Sequence, residues 1–312
     1  MQEMNKTIIT EFFLLGFQNL SDLKIMFFMC LFLVQCVTIS VNIFIVLVVA
    51  SVQHLHTPMY FFLCQLASAE MMFTINIIPN LLHIVLVEGA IISVVGCVIQ
   101  FYIFSVSTNA ESFFLTLMSY DRYMAICNPL HYNSLMGLNF CFRLTVITWI
   151  FSFASTLIVI IQLCTLQFCG SNIIDHYYCD LAPLLEHSCS DVSLVKTQIF
   201  LFSIPIVLFP FIFIFITYLR IVIAVLHIPS SIGKQKAFST CSSHLAVVCT
   251  YYLALITIYV IPKSEHALNL NKTMSLLYTV VTPLMNPIIY TLRNKEIRNI
   301  FVKWILKKTE YA

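Results

Sequence analysis

Long runs without a charged residue constrain this chain more than any other feature of its sequence. Asp, Glu, Lys and Arg are absent from 25–69, 71–87, 89–110, 144–174, 197–219 and 237–262. A helix needs about 20 mostly apolar residues to cross a bilayer. Hydrophobic residues make up 60% of the chain and charged residues 10%, whereas soluble domains carry about 25% charged residues. A soluble protein with a large core is therefore excluded, and the pattern predicts an all-α membrane protein.

Charges, prolines and polar clusters divide the chain into a tail, a bundle and a second tail. We predict an extracellular tail over 1–22, a seven-transmembrane helix bundle over 23–292, and a cytoplasmic amphipathic helix and tail over 293–312. The spans are expected near 23–51, 58–86, 93–121, 141–165, 197–227, 238–262 and 272–292. Pro58 fits the first position of the second helix. The first span is too long for the apolar region of a cleaved signal peptide, and it is predicted to stay as an anchor.

Basic residues predict the orientation of the bundle, because they concentrate on the cytoplasmic side of membrane proteins. With the N-terminus outside, eleven of the 16 Lys and Arg residues are cytoplasmic and five are outside. Asn5-Lys6-Thr7 is an N-glycosylation sequon in the outer tail, so we predict a glycan on Asn5. In the last segment Ile297, Ile300, Phe301, Trp304 and Ile305 share one face. That face predicts a short amphipathic eighth helix on the membrane surface.

Four of the twelve cysteines fall on the outer, oxidising side, namely Cys97, Cys169, Cys179 and Cys189. Four cysteines allow three pairings, and spacing selects none of them. A bond from Cys97 to the 166–196 loop would hold that loop over the mouth of the bundle. The alternative is a metal site of His176, Cys179 and Asp180, which disulfide formation would prevent by consuming the thiol. The remaining cysteines are predicted to be reduced.

Two carboxylates are predicted near the middle of the membrane. Glu70 lies twelve residues after Pro58, and Glu111 lies eleven residues before Arg122. At 1.5 Å per residue, both are roughly 17 Å from the cytoplasmic side. Two carboxylates at one depth do not both stay charged without a large cost. They are expected to share a proton, to bind a cation or to be bridged by water, and a packing network of protonated glutamates is equally open.

The third span carries a polar stripe, because Ser105, Thr108, Asn109 and Ser112 recur at spacings of three and four and share one helix face. A polar stripe on an apolar helix is expected to face the bundle interior. There it either bonds backbone and neighbouring helices or lines a cavity. A mostly apolar cavity with a few polar groups suits a small, weakly polar molecule.

Five motifs, in order and over nearly the whole chain, resemble those of vertebrate odorant (olfactory) receptors, a branch of the rhodopsin-like (class A) G-protein-coupled receptors. They are TEFFLLGF (10–17), HTPMYFFLCQLA (56–67), SYDRYMAICNPLHY (119–132), KAFSTCSSHL (236–245) and PLMNPIIYTLRNKE (283–296). The resemblance implies a multi-pass plasma-membrane receptor for a small, weakly polar odorant. It also implies activation of a stimulatory olfactory-type heterotrimeric G protein and a rise in cAMP.

With the family's geometry, the ligand-binding set is Phe101, Phe104, Ser105, Thr108, Asn109, Ser112, Phe202, Ser203, Ile206, Val207, Tyr252, Leu255, Ile256, Tyr259, Leu276 and Thr279. The position near Phe104 lacks the carboxylate that amine receptors carry, which argues against a cationic amine ligand. The switch and G-protein set is Asp121, Arg122, Tyr123, Leu130, Tyr218, Asn286, Pro287 and Tyr290.

The resemblance also supports a sodium-type site at Glu70 and Glu111, with Asn286 as a polar neighbour. Apart from Na⁺ as a candidate modulator, the chain is expected to need no cofactor. Its expected partners are an odorant, a heterotrimeric G protein and the lipid bilayer, with no nucleic acid. The working disulfide prediction is Cys97–Cys179 with Cys169–Cys189, and spacing leaves the other two pairings open.

Other classes of protein fit the sequence less well. An enzyme is not expected, because the chain has no nucleophile–base pair, HExxH motif or phosphate-binding glycine loop. A seven-helix channel or transporter is an alternative, although transporters tend to have repeated halves and paired broken helices, and neither is evident. A rhodopsin-like receptor for another small ligand is the nearest alternative.

Overall fold

The computed structural model describes residues 9–18, 20–227, 230–260, 268–293 and 296–300, and most of them are helical. The helices are α1 (Lys24–Ser51), α2 (Pro58–Val87), α3 (Val94–Cys127), α4 (Pro129–Leu135), α5 (Leu138–Leu163), α6 (Leu181–Glu186), α7 (Ser193–Ser203), α8 (Phe209–Leu226), α9 (Ser231–Val260), α10 (Leu268–Leu276) and α11 (Thr282–Arg293). Two π-helical segments make α7 continuous with α8 and α10 continuous with α11: Ile204–Leu208 and Leu277–Val281.

Local sequence signals explain several helix boundaries. Pro58 and Pro129 occupy the first positions of α2 and α4, where a residue without an N–H is tolerated. The Ser93 hydroxyl accepts a hydrogen bond from the Gly96 N–H at 3.0 Å and caps the start of α3. At the end of α2, Glu88 adopts a left-handed conformation with φ 61°.

The longest helix, α3, lies at the centre of the bundle, where it packs against α2, α5, α8 and α9. Ala110, Phe114, Leu115 and Met118 on this helix are fully buried. These four residues follow the three- and four-residue spacing of one helix face, as expected for a helix with neighbours along its length.

The outward faces of the bundle remain apolar. Four stretches of the described residues are long and apolar enough to cross a membrane: Lys24–Ser51, Pro58–Val87, Leu138–Leu163 and Ser193–Leu226. On the last of these, Phe215 and Ile216 leave 63% and 51% of their surface exposed. Exposed aromatic and aliphatic side chains along a helix of this length are typical of a lipid-facing surface.

Two helices extend beyond the predicted membrane spans. The third span was predicted near 93–121, and α3 continues to Cys127. Asp121 and Arg122 therefore lie inside the helix rather than at its end, where they pair with each other. The sixth span was predicted to begin at 238, but α9 begins at Ser231.

A small sheet on the predicted outer side is a correction, since an all-α protein was predicted. Strand β1 (Glu11–Leu14) lies between β2 (Ala90–Ser93), to which it is antiparallel, and β3 (Ile173–Ile174), to which it is parallel. Phe12 and Leu14 point inward and are buried. The sheet thus joins the N-terminal segment to two outer loops.

Two predictions lie wholly or partly outside what the structure describes. Asn5 precedes the described residues, and positions 301, 304 and 305 of the predicted eighth helix follow them. Residues 296–300 are helical, and Ile297 is buried.

Candidate functional site

A buried polar cluster joins α2, α3 and α11 at the centre of the bundle. The Asn286 amide donates to Glu70 Oε1 at 2.7 Å and to Glu111 Oε1 at 3.0 Å. Glu70, Glu111 and Asn286 expose 2%, 3% and 0% of their surface. Burying two bare carboxylates together is costly, so a proton or a cation must balance their charge.

The oxygen atoms of this cluster are of the kind that bind a hard cation. Carboxylate and amide oxygens are the ligands that such ions prefer. The Asn286 Oδ1 atom is buried and has no hydrogen-bond partner among the described residues, so one oxygen remains to be satisfied. Asn42 lies beside Glu70 and is itself buried.

A second buried cluster is centred on Thr108 of α3. The Thr108 hydroxyl donates to the Phe104 carbonyl at 3.0 Å and lies 3.1 Å from the Tyr278 hydroxyl. The Tyr251 hydroxyl donates to the Thr108 carbonyl at 2.9 Å. These bonds connect α3 with α9 and with the π-helical segment that precedes α11.

One turn further inward, Ser112 makes a similar junction. Its hydroxyl donates to the Ile206 carbonyl at 2.8 Å and lies 3.1 Å from the Tyr252 hydroxyl. Ile206 belongs to the π-helical segment between α7 and α8. Four residues further on, Pro210 has no N–H to donate to the Ile206 carbonyl, so this carbonyl can accept from Ser112. The polar stripe of α3 therefore binds neighbouring helices in this structure.

Beyond these clusters the 166–196 loop covers the end of the bundle that was predicted to be the outer one. Tyr177 and Thr279 hydroxyls lie 2.9 Å apart, and His176 Nε2 lies 3.3 Å from Ser275 Oγ. Burial, more than any other factor, raises the pKa of Tyr177, which keeps its phenol protonated. The aromatic ring of Tyr178 packs 5.4 Å from that of Phe104.

Two disulfides hold this loop: Cys97–Cys179 and Cys169–Cys189. The first attaches the loop to the start of α3, and the Gln100 side chain reinforces it by accepting the Cys179 N–H at 2.9 Å. The predicted metal alternative is not supported, because Cys179 is disulfide-bonded and no metal-ligand group of three or more His, Cys, Asp or Glu forms within the described ranges.

The inner end of α3 carries the predicted acid–base pair. Arg122 donates to Asp121 Oδ2 through Nε at 3.1 Å and Nη2 at 2.7 Å. The Tyr132 hydroxyl of α4 donates to Asp121 Oδ1 at 2.8 Å. Burial, followed by the charge of Asp121, raises the pKa of Tyr132 and keeps it a donor. Asp121 is fully buried, whereas the Arg122 side chain is 18% exposed.

The remaining switch residues lie close to this inner end. The Tyr218 hydroxyl hydrogen-bonds to His244 Nδ1, and the His244 ring is 6.5 Å from that of Tyr290. The Tyr290 hydroxyl is buried without a hydrogen-bond partner in the described part of the chain. Tyr123 is half-buried, Pro287 lies within α11, and Leu130 is 92% exposed on α4.

The structure brings most, but not all, of the predicted ligand set to the bundle interior. The buried members are Phe101, Phe104, Ser112, Ile206, Tyr252, Leu255 and Thr279. The half-buried members are Ser105, Thr108, Asn109, Phe202, Val207 and Leu276. Ser203 lies on the exposed surface and donates to the Phe200 carbonyl at 2.7 Å, so it does not join the set. The side chains of Ile256 and Tyr259 lie outside those described.

Several contact residues were not predicted from the sequence. Tyr251 and Tyr278 bind Thr108, Tyr132 binds Asp121, and His244 binds Tyr218. A tyrosine inside an apolar span is the signal that could have found the first two, because a buried phenol usually has a hydrogen-bond partner.

Membrane-length helices around buried polar clusters define a helical membrane protein, and comparison with known proteins identifies its family. A family model described as olfactory receptor matches residues 29–308. Olfactory receptor 11A1 of Homo sapiens is 44% identical over 307 residues, which is 98% of this chain and 97% of that protein. Olfactory receptor 1J1 of Mus musculus is 40% identical over 312 residues, which is 100% of both chains. The chain therefore belongs to the olfactory receptor family.

A relative with lower identity also matches nearly the whole chain. Olfactory receptor 1468 of Rattus norvegicus is 36% identical over 308 residues, which is 99% of this chain and 98% of that protein. The family consists of odorant-sensing G-protein-coupled receptors of the membrane, which are signalling receptors and not enzymes.

Proposed function

We propose that this receptor binds a small, weakly polar odorant between α3, α7, α9 and α10, beneath the 166–196 loop. Binding activates a stimulatory olfactory-type heterotrimeric G protein and raises cAMP. The junction of Thr108 with Tyr251 and Tyr278 carries the proposal, because it joins three helices by hydrogen bonds at one depth. A ligand that alters this junction changes the relative free energies of the helix arrangements, which is the physical requirement for a receptor.

The proposed topology has seven spans, an outer N-terminus and an eighth helix on the inner membrane surface. The distribution of Lys and Arg supports it, with eleven of 16 on the proposed cytoplasmic side. The N-terminal strand β1 pairs with β3 of the 166–196 loop, which carries three of the four disulfide-bonded cysteines. That fits an oxidising exterior. A glycan on Asn5 and residence in the plasma membrane belong to the same proposal.

The proposed switch is the pair of Asp121 and Arg122. In the resting state the two side chains are joined by two hydrogen bonds. On activation Arg122 leaves Asp121 and turns towards the inner cavity, where Tyr218 and Tyr290 become its polar partners. Leu130, exposed at the tip of α4, then contacts the G protein as an apolar anchor.

A sodium ion is the proposed counter-charge for Glu70 and Glu111. The two carboxylates and the unsatisfied Asn286 Oδ1 would hold it. Bound there, the ion would stabilise one arrangement of α2, α3 and α11. A proton shared by Glu70 and Glu111 would balance part of the same charge without sodium. Whether signalling depends on sodium therefore distinguishes a bound ion from a shared proton.

Cells that carry the receptor at their surface, together with a stimulatory olfactory-type G protein, test the function. An odorant panel is applied while cAMP and membrane current are recorded. We expect at least one odorant to raise cAMP, with no receptor-dependent current when the G protein is omitted. A current that persists without the G protein would instead support the channel or transporter alternative.

A further inference from the structure

We propose that the inner end of the ligand pocket offers hydrogen-bond acceptors but no free hydroxyl hydrogen, and so selects odorants that donate, such as alcohols and phenols. This inner end is that of the pocket, not the inner end of α3 at Arg122. It is formed by the hydroxyl-bearing residues Thr108, Ser112, Tyr251, Tyr252 and Tyr278. This inference rests on the proposed odorant-binding function and specifies the class of ligand. It depends on which hydroxyl donates the hydrogen bond between Thr108 and Tyr278, and which donates it between Ser112 and Tyr252.

The hydrogen of Thr108 determines the role of Tyr278. A hydroxyl has one hydrogen and two acceptor lone pairs. Thr108 uses its hydrogen on the Phe104 carbonyl. In the 3.1 Å contact between Thr108 and Tyr278, the Tyr278 phenol must therefore be the donor. Tyr278 keeps lone pairs and has no hydrogen left for a ligand.

The same reasoning applies at Ser112. Its hydrogen is used on the Ile206 carbonyl at 2.8 Å. In the 3.1 Å contact with Tyr252, the Tyr252 phenol is consequently the donor. Tyr252 is thus also left with lone pairs alone.

Tyr251 completes the set, because its hydrogen is used on the Thr108 carbonyl. All five hydroxyl hydrogens at the inner end are therefore committed to protein acceptors. The nearby amide of Asn109 is turned towards α5, where it donates to Thr156 Oγ1 at 3.1 Å. A polar group of a ligand that enters here meets the phenol oxygens of Tyr252 and Tyr278.

An alcohol and a ketone differ at this surface in one respect. The alcohol donates to a phenol oxygen and leaves every existing bond intact. A ketone oxygen faces the lone pairs of the phenol oxygens. It gains a hydrogen bond only if a tyrosine breaks its bond to Thr108 or to Ser112. A buried polar group without a partner loses affinity by a larger factor than the net gain from a typical hydrogen bond.

Matched odorants with one carbon skeleton test the inference in the cAMP assay, using the full-length receptor. We would compare 2-octanol with 2-octanone, 1-octanol with octanal, and a cyclic alcohol with its ketone. We expect the alcohols to act at roughly tenfold lower concentration than their carbonyl partners. Carbonyl compounds that are equally or more potent would overturn the inference and leave the odorant-receptor function intact. Silence of a surface-expressed receptor to all of these compounds and to the wider odorant panel would overturn that function, and the inference with it.

Two substitutions free a phenol hydrogen and sharpen the test. Ser112→Ala removes the acceptor of Tyr252, and Thr108→Val removes the acceptor of Tyr278. Each variant is expected to reduce the ratio of alcohol potency to ketone potency by roughly tenfold, because the ketone becomes more potent. Thr116→Val is the matched control and should leave the ratio unchanged. Within the described part of the chain, the Thr116 hydroxyl bonds only the Ser112 carbonyl of its own helix.

The ratio is measured at matched surface expression, so that a folding defect does not imitate the effect. If either variant folds poorly, the other carries the test. A ratio that stays constant in the variants that fold, or that moves equally in Thr116→Val, would overturn the inference.

Discussion

Lys272 on α10 pairs with Asp175 of the outer loop and donates a second hydrogen bond to the Gly16 carbonyl at 3.0 Å. One ammonium thus connects α10, the 166–196 loop and the N-terminal segment. The Lys272 side chain is 6% exposed and that of Asp175 is 40% exposed. Because Lys272 is the more buried partner, loss of Asp175 would leave its ammonium group desolvated and with one hydrogen bond fewer.

Substitution of Lys272 by Met is expected to destabilise the receptor by about 1.5–3 kcal/mol, the typical value for hydrogen bonds to a charged group. Thermal unfolding of the detergent-purified protein measures the change. Lys196→Met on the exposed part of α7 is the control and should have little effect. The charge-swapped double variant Lys272→Asp with Asp175→Lys should recover part of the loss. No recovery would indicate that the Gly16 bond, rather than the ion pair, is what matters.

The two disulfides are expected to contribute unequally. Cys97–Cys179 closes 82 residues and attaches the loop to α3, whereas Cys169–Cys189 closes 20 residues within the loop. Longer closed loops give larger stabilisation, of about 2–5 kcal/mol. Replacing both Cys97 and Cys179 by Ala should lower surface expression and melting temperature more than replacing Cys169 and Cys189. The same measurements on Cys164→Ala, an exposed free cysteine, provide the baseline, and the reverse order would contradict the prediction.

Sodium dependence tests the buried carboxylates. Glu111→Gln removes one of the two charges that Asn286 joins, and Gln is nearly isosteric with Glu. If sodium is the counter-ion, basal and odorant-stimulated cAMP of the native receptor depends on external sodium, and the variant loses that dependence. Choline replaces sodium at constant ionic strength as the control. An unchanged sodium response in the variant would argue for a shared proton.

Gly89 is expected to tolerate no side chain. Its φ is 135°, and a Cβ there would lie 2.4 Å from the Phe13 ring of β1. Gly89→Ala should destabilise the receptor by more than the roughly 1–3 kcal/mol of a strained backbone alone. Gly170→Ala separates the two effects, since Gly170 has φ 93° but no atom within 4 Å of a Cβ. Equal losses in melting temperature for the two variants would mean that packing against Phe13 is unimportant.

The helical framework follows from the sequence, because long charge-free runs leave few alternatives to membrane-length helices. The charges that were taken to mark the edge of the third span do not mark the end of its helix, and the reason is physical. Asp121 and Arg122 neutralise each other, and Tyr132 adds a third bond. The helix therefore continues to Cys127.

The outer sheet and the tyrosine contacts depend on tertiary structure that the sequence does not reveal. Strand β1 has four residues and its partners lie about 80 and 160 positions away, so no local pattern indicates the pairing. Spacing placed Thr108 and Ser112 on one face of α3, but not the phenols that meet them. Ser203 was assigned to the pocket by analogy, whereas the structure leaves it on the outside.

Arg122→Ala tests the central claim, that ligand binding in the outer bundle is transmitted to a G protein through the inner end of α3. The receptor and the variant are compared at equal surface expression, with cAMP recorded during stimulation by an activating odorant. Arg143→Ala is the control, since Arg143 is an exposed base at the start of α5. Arg122→Ala is expected to abolish the cAMP response, whereas Arg143→Ala is expected to retain it. A normal response from surface-expressed Arg122→Ala would show that the signal does not pass through Arg122.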